Sequence, residues 1–135
     1  FEETYLLVEM ADRQRDLGQW EEAIRLYEAA FAEEQSPPFI RAEFGHSLVA
    51  CLRERQESQR MDQVLETVES LLEENPAELF QKSLARACQS HAETRLALGD
   101  REGALALANK AMLLAEKIGA DDRLESLQGF LKQLN

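Results

Sequence analysis

The chain has 135 residues, 44% of them hydrophobic and 30% charged, with only three prolines. That length suits one domain, and the composition is that of a helix-rich globular chain, which excludes a disordered tail. A net charge of −11 argues against nucleic acid and anionic membrane surfaces, whose phosphates it repels, and favours a basic protein partner.

The first helix is expected from about Glu2 to Leu17, with Leu6, Leu7, Met10 and Leu17 as its apolar stripe and Ala11 at a close approach. Gly18 ends it, because glycine takes the left-handed C-cap conformation without strain. The second helix runs from about Trp20 to Glu34. Trp20, Ala23, Ile24, Tyr27, Ala30 and Phe31 recur at spacings of three and four and share one face. Ser36 caps the third helix, with Pro38 in its first turn. That helix carries Ile40, Phe44, Leu48, Cys51 and Leu52 and reaches about Glu57. Gly45 marks a close contact, since a helical glycine costs about 1 kcal/mol against alanine and needs a packing motive.

The polar run Glu54–Arg60 holds the next turn, although it contains no glycine. Met61, Val64, Leu65, Val68, Leu71 and Leu72 set the phase of the fourth helix. Asn75 and Pro76 then open the fifth, which extends to Leu98 with Leu79, Phe80, Leu84, Ala87, Cys88, Ala92 and Leu98 inside. Gly99 ends it and Asp100 caps the sixth helix, which carries Leu105 among its apolar residues and stops at Gly119. A seventh, from about Asp121 to Leu134, covers the last hairpin or begins a further one. The echo of the first hairpin lies 81 residues on, from Gly18 to Gly99, from Ala23 to Ala104 and from Ala30 to Ala111. Two periods of roughly 40 fit that interval, so the pattern is a helical repeat array.

Leu17, Gly18, Trp20, Ala23, Tyr27 and Ala30, echoed by Leu98, Gly99, Ala104 and Ala111, resemble the tetratricopeptide repeat (TPR) family. Arg101 and Ala108 stand where that family usually has aromatics, and the middle copy departs furthest. The long period, together with the run from Ala108 to Gly119, is similar to the arrays of signalling and transcription regulators. The resemblance implies an all-α, right-handed superhelical solenoid of three TPR-like hairpins plus a C-terminal helix, seven helices in one domain over residues 1–135. The hairpins span about 2–35, 37–74 and 76–119, and the final helix about 121–134. The chain begins at Phe1, not Met, and reads as a piece of a longer protein.

The same resemblance places a concave groove on the first helix of each hairpin. Its partner-binding residues are Tyr5, Val8, Asp12 and Arg15, then His46, Val49 and Arg53, then Arg86, Gln89 and Glu93. Some members of the family hold a partner's C-terminal carboxylate with Lys, Asn and Arg at set groove positions. Val8, Asp12, Val49, Arg53, Gln89 and Glu93 occupy those positions here, so that clamp is absent. The expected function is a non-catalytic protein–protein interaction scaffold that takes a peptide or helix in the groove. The alternative is a regulatory or sensor segment of a signalling or transcription-control protein that acts on an output domain.

The chemistry-bearing residues support no enzyme. His46, His91, Cys51 and Cys88 have no C-x-x-C or H-x-x-x-H spacing, so neither a metal nor a cofactor is expected. The glycines form no phosphate loop, and the carboxylates fall on outward faces. Two cysteines make no disulfide framework and fit buried positions in a reducing, cytoplasmic setting. No apolar run approaches the ~20 residues that cross a bilayer. The residues leave open whether the chain is a monomer or a homo-oligomer.

Overall fold

Helical periodicity is realised in seven helices among the described residues. The structure, a computed structural model, describes residues 2–74 and 77–134, and their side chains apart from those of 72–74. It contains α1 (Glu2–Asp16), α2 (Trp20–Phe31), α3 (Pro38–Glu54), α4 (Ser58–Glu74), α5 (Glu78–Ala97), α6 (Arg101–Ile118) and α7 (Asp121–Leu134). There is no strand among the described residues, and no described helix is long and apolar enough to cross a membrane. Each helix packs on the next, and α3 also packs directly on α5.

Four of the interhelical turns repeat one hydrogen-bond pattern. Gly18 N–H donates to Arg15 C=O (2.9 Å) and Gln19 N–H to Gln14 C=O (2.8 Å). The same pair recurs at Gln56 and Glu57, at Gly99 and Asp100, and at Gly119 and Ala120. This is the Schellman closure, whose central residue must be left-handed. Gly18, Gly99 and Gly119 supply φ of 74°, 85° and 67°, and Gln56 is forced to 54°. The glycine-free run therefore does turn, at the register of the other hairpins, with a side chain in a conformation that costs about 1–2 kcal/mol. Gln56→Gly is expected to raise stability by about 0.5–1 kcal/mol, less than the full strain because glycine also loosens the unfolded chain. Chemical denaturation checks this, and an unchanged or lower midpoint would show the turn to be unstrained.

Alanine sets the helix spacing. Ala104, Ala108, Ala111 and Ala115 line one face of α6 with no exposure, and Ala23 and Ala30 do the same on α2. Tyr27, Ile24, Leu48, Leu52, Met61 and Val68 fill the main core, which extends through Cys88 to Leu127. A smaller cluster of Ala92, Ala104, Ala108, Phe130 and Leu134 joins α5, α6 and α7. Gly45 sits where α3 meets its neighbours: a Cβ there would lie 2.8 Å from Phe31 of α2 and 3.0 Å from Val68 of α4.

Several expectations are corrected. Leu6, Met10 and Leu17 are exposed, and α1 instead buries Thr4 and Ala11, with Leu7 and Val8 half-buried. As the first element, α1 has neighbours on one side only, and the side it turns to α2 is not its most apolar one. Leu79, Leu98 and Leu105 are exposed as well. The second helix ends at Phe31, three residues early, because i→i−3 turns at Glu33 and Ser36 replace helical bonds. The third ends at Glu54 and the fourth begins at Ser58, which shortens their junction. Ser36 does not cap α3: Pro37 is the N-cap, and the Ser36 hydroxyl is buried without a hydrogen bond. The caps expected from Asn75 and Pro76 lie outside the described residues, and α5 opens with Ala77 as N-cap. Asp100 caps α6 as expected and accepts from Gly103 N–H at 2.9 Å.

Candidate functional site

The odd-numbered helices are tied to one another by side chains. Tyr5 of α1 meets Phe44 of α3 edge-on at 6.2 Å. Phe39 of α3 meets Phe80 of α5 at 5.6 Å, and Ser83 Oγ donates to Ala42 C=O at 3.4 Å. Arg53 of α3 pairs with Glu93 of α5 at 2.5 Å. Gln89 of α5 donates to Ser126 Oγ (2.8 Å) and accepts from Arg123 (2.7 Å), both on α7. The even-numbered helices have their own links, Arg60 of α4 to Glu28 of α2 and Lys110 of α6 to Glu69 of α4.

The sequence-assigned groove residues fall into three groups. Tyr5 and Arg86 are exposed, and Arg53 and Glu93 reach solvent as a pair. Asp12 and Arg15 are committed to structure. The Tyr27 hydroxyl, on a fully buried ring, donates to Asp12 and accepts from Arg15 (3.1 Å). Burial and the Asp12 carboxylate together push the Tyr27 phenol well above its ordinary range. Val49 has no exposure and cannot meet a partner, and Gln89 is largely buried against α7, with only an edge on the concavity between α5 and α7. Both corrections have one cause: where a helix is flanked on both sides by its neighbours, its inner positions face those neighbours and not solvent. Val8 is half-buried against the core.

Two concavities flank α5. One, of about 340 Å³, lies between α5 and the α6–α7 turn and is lined by Lys82, Arg86 and Arg123 with Glu78, Asp121 and Asp122. The other, of about 550 Å³, runs between α5 and α7, past Gln89, Glu93, Leu96, Ala97, Gly129 and Phe130. His46 of α3 belongs to the same junction. Burial, then Arg86 and Arg123, hold its imidazole down at about 4, and its Nδ1 is buried without a hydrogen bond. Arg123 is likewise held below its usual value by burial and by Arg86. Sequence reasoning missed Arg123, although a signal was present: it lies four residues before Leu127 and seven before Phe130, in phase with the buried stripe of α7.

A second polar network was also missed. His91, fully buried on α5, accepts from Arg95 Nε at Nε2 (3.1 Å). Its Nδ1 lies 3.2 Å from Asp62 of α4, out of line for a hydrogen bond. Arg95 also donates to Asp62 and to Asp100, the cap of α6. One guanidinium thus joins α4, α5 and α6, which is a structural role. Arg95→Ala is expected to cost about 1.5 kcal/mol, at the low end for charged hydrogen bonds because Arg95 keeps some solvent contact. Thermal unfolding at neutral pH checks it, and a loss under a few tenths would make the network ornamental.

Neither thiol offers a nucleophile. Cys51 and Cys88 are free and buried, and burial pushes them up to about 11 and about 12. Among the described residues no group of three His, Cys, Asp or Glu converges. No protein-family model matches the chain, and no curated protein matches it.

Proposed function

We propose that the chain is a TPR-like helical-repeat module, a right-handed solenoid whose odd-numbered helices form a concave wall that binds a partner peptide without catalysis. The repeated turns at Gly18, Gln56 and Gly99 support the repeat reading, because they set intervals of 38 and 43 residues. Links that run from odd helix to odd helix and from even to even, in addition to those between successive helices, support a two-layered array. The observation that carries the functional reading is the cleft of about 550 Å³ between α5 and α7. It is open to solvent and follows the basic cavity at Arg86 along the same helix, α5, which suits a segment that lies along the helix better than a small molecule. The peptide reading is preferred to the sensor alternative because this cleft lies on the surface of the chain itself. Two free thiols fit a cytoplasmic setting.

The test is selection of binders from a random peptide library on the folded chain, followed by mapping of a selected peptide through backbone amide shifts. Shifts along α3, α5 and α7 are the expected result. Shifts confined to α2, α4 and α6, or failure to select any peptide, would overturn the proposal.

A further inference from the structure

In a chain with 26 acidic and 15 basic residues, the junction of α3, α5 and α7 is unusual because two of its guanidiniums form no ion pair among the described residues, although Glu78, Asp121 and Asp122 line the same cavity. Arg86 and Arg123 line one cavity. Arg86 makes no ion pair or hydrogen bond among the described residues, and Arg123 donates only to the neutral Gln89 carbonyl. The acid whose field reaches Arg123, Glu93, is already engaged by Arg53. Glu78 is engaged by Lys82 at 3.3 Å. Asp121 and Asp122 stand exposed on the rim, in the first turn of α7, where a helix favours negative charge. Arg86 and Arg123 repel each other with no ion pair of their own to offset it, and a bound anion between them removes that repulsion. Planar N–H forks suit a carboxylate in particular.

We infer that this junction receives an acidic side chain of the partner segment, and that the α5–α7 cleft receives an apolar residue about five positions away. The inference rests on the peptide-binding reading above and specifies its ligand. The spacing follows from the helix. Arg86 and Leu96 are ten residues apart on α5, about 15 Å at 1.5 Å per residue, and an extended peptide covers that in about five residues at 3.3 Å each. Leu96 and Ala97 supply the apolar end, with the edge of the largely buried Phe130 behind them and Gln89, Glu93, Ser126 and Gln133 around it. The acidic remainder of the surface selects against an acidic run, so the segment carries a single Asp or Glu among neutral or basic residues.

The experiment is a display selection with 12-residue random peptides, in one arm as internal segments and in another with free C-termini. Each arm is run on the wild-type chain and on Arg86→Gln and Arg86→Glu variants shown by circular dichroism to be folded. Arg86 is exposed and unpaired, so neither variant should unfold. Wild type is expected to select Asp or Glu with Leu, Ile, Phe or Met about five positions away, in the internal arm as well as the free-terminus arm. A selected synthetic peptide should lose tenfold or more in affinity on Arg86→Gln, and Arg86→Glu should select Lys or Arg at that position instead. Binders confined to the free-terminus arm would overturn the side-chain assignment. Peptides that map to the odd helices, yet lack the acid or ignore Arg86, would overturn this inference while leaving the peptide-binding reading standing. Selection of no peptide at all would end both.

Discussion

Gly45→Leu is expected to cost about 3 kcal/mol, a large share of the 5–15 kcal/mol that holds a domain of this size folded. Gly45 lies in mid-α3 between α2 and α4. A Cβ at this position would meet Phe31 Cε1 at 2.8 Å and Val68 Cγ2 at 3.0 Å, well inside van der Waals contact. Phe31 is further held by Arg41, which stacks over its ring at 5.7 Å and donates to the Phe31 carbonyl at 3.1 Å. Val68 is short, β-branched and 1% exposed, so it has little room to yield. Alanine at 45 gains helix propensity of about 1 kcal/mol and loses about 2 kcal/mol to crowding, for a net cost of about 1 kcal/mol. Leucine adds three carbons with no extra propensity. Urea midpoints of wild type, Gly45→Ala and Gly45→Leu measure the series. A Gly45→Leu variant as stable as wild type would mean that α3 does not pass between Phe31 and Val68 at that distance.

Gly45 was legible in the sequence because a glycine inside a strong helical pattern needs a steric reason. The turns at Gly18, Gly99 and Gly119 were legible for a related reason: only glycine takes their φ without strain. The turn at Gln56 was half-legible. A polar run marked it, but the left-handed residue could not be named because glutamine does not advertise that conformation. The stripe of α1 was misread because Leu6, Leu7, Val8 and Met10 cover more than one face. Periodicity then cannot choose which face meets α2, and Thr4 and Ala11 carried too little hydrophobic weight to decide it. Val49 and Gln89 were assigned to a solvent-facing groove from a repeat frame. A frame gives an angle around the helix, whereas burial depends on how closely the next odd helix approaches. Arg123 shows the converse. Its place in the junction needs three helices, two of which are about 40 and 80 residues away in sequence, and only tertiary structure brings such groups together.

Acidification from pH 7 to pH 5 is expected to lower stability by about 2 kcal/mol, chiefly through His46. Its folded-state value of about 4 lies below the ordinary 6.5, since burial and the flanking Arg86 and Arg123 disfavour the imidazolium. The unfolded chain therefore binds a proton between pH 6.5 and about 4 that the folded chain refuses. Stability is full above 6.5 and falls as the pH drops through that window. At pH 5 the difference for one such histidine comes to about 2 kcal/mol, from 1.36 kcal/mol per pH unit, less what solvent access to a part-exposed ring recovers. His91 acts in the same direction, lowered first by burial, while Asp62 and Asp100 oppose that effect and Arg95 adds to it. Its share is accordingly smaller. Ordinary carboxylates titrate near 4, below most of this window, so the histidines govern the slope between 6.5 and 5. The measurement is urea unfolding at half-unit pH steps for wild type, His46→Gln and His91→Gln. His46→Gln is expected to flatten most of the slope in that window and His91→Gln the remainder. A wild-type slope that survives His46→Gln unchanged would mean that the imidazole is already charged in the fold, and that Arg86 and Arg123 do not face it.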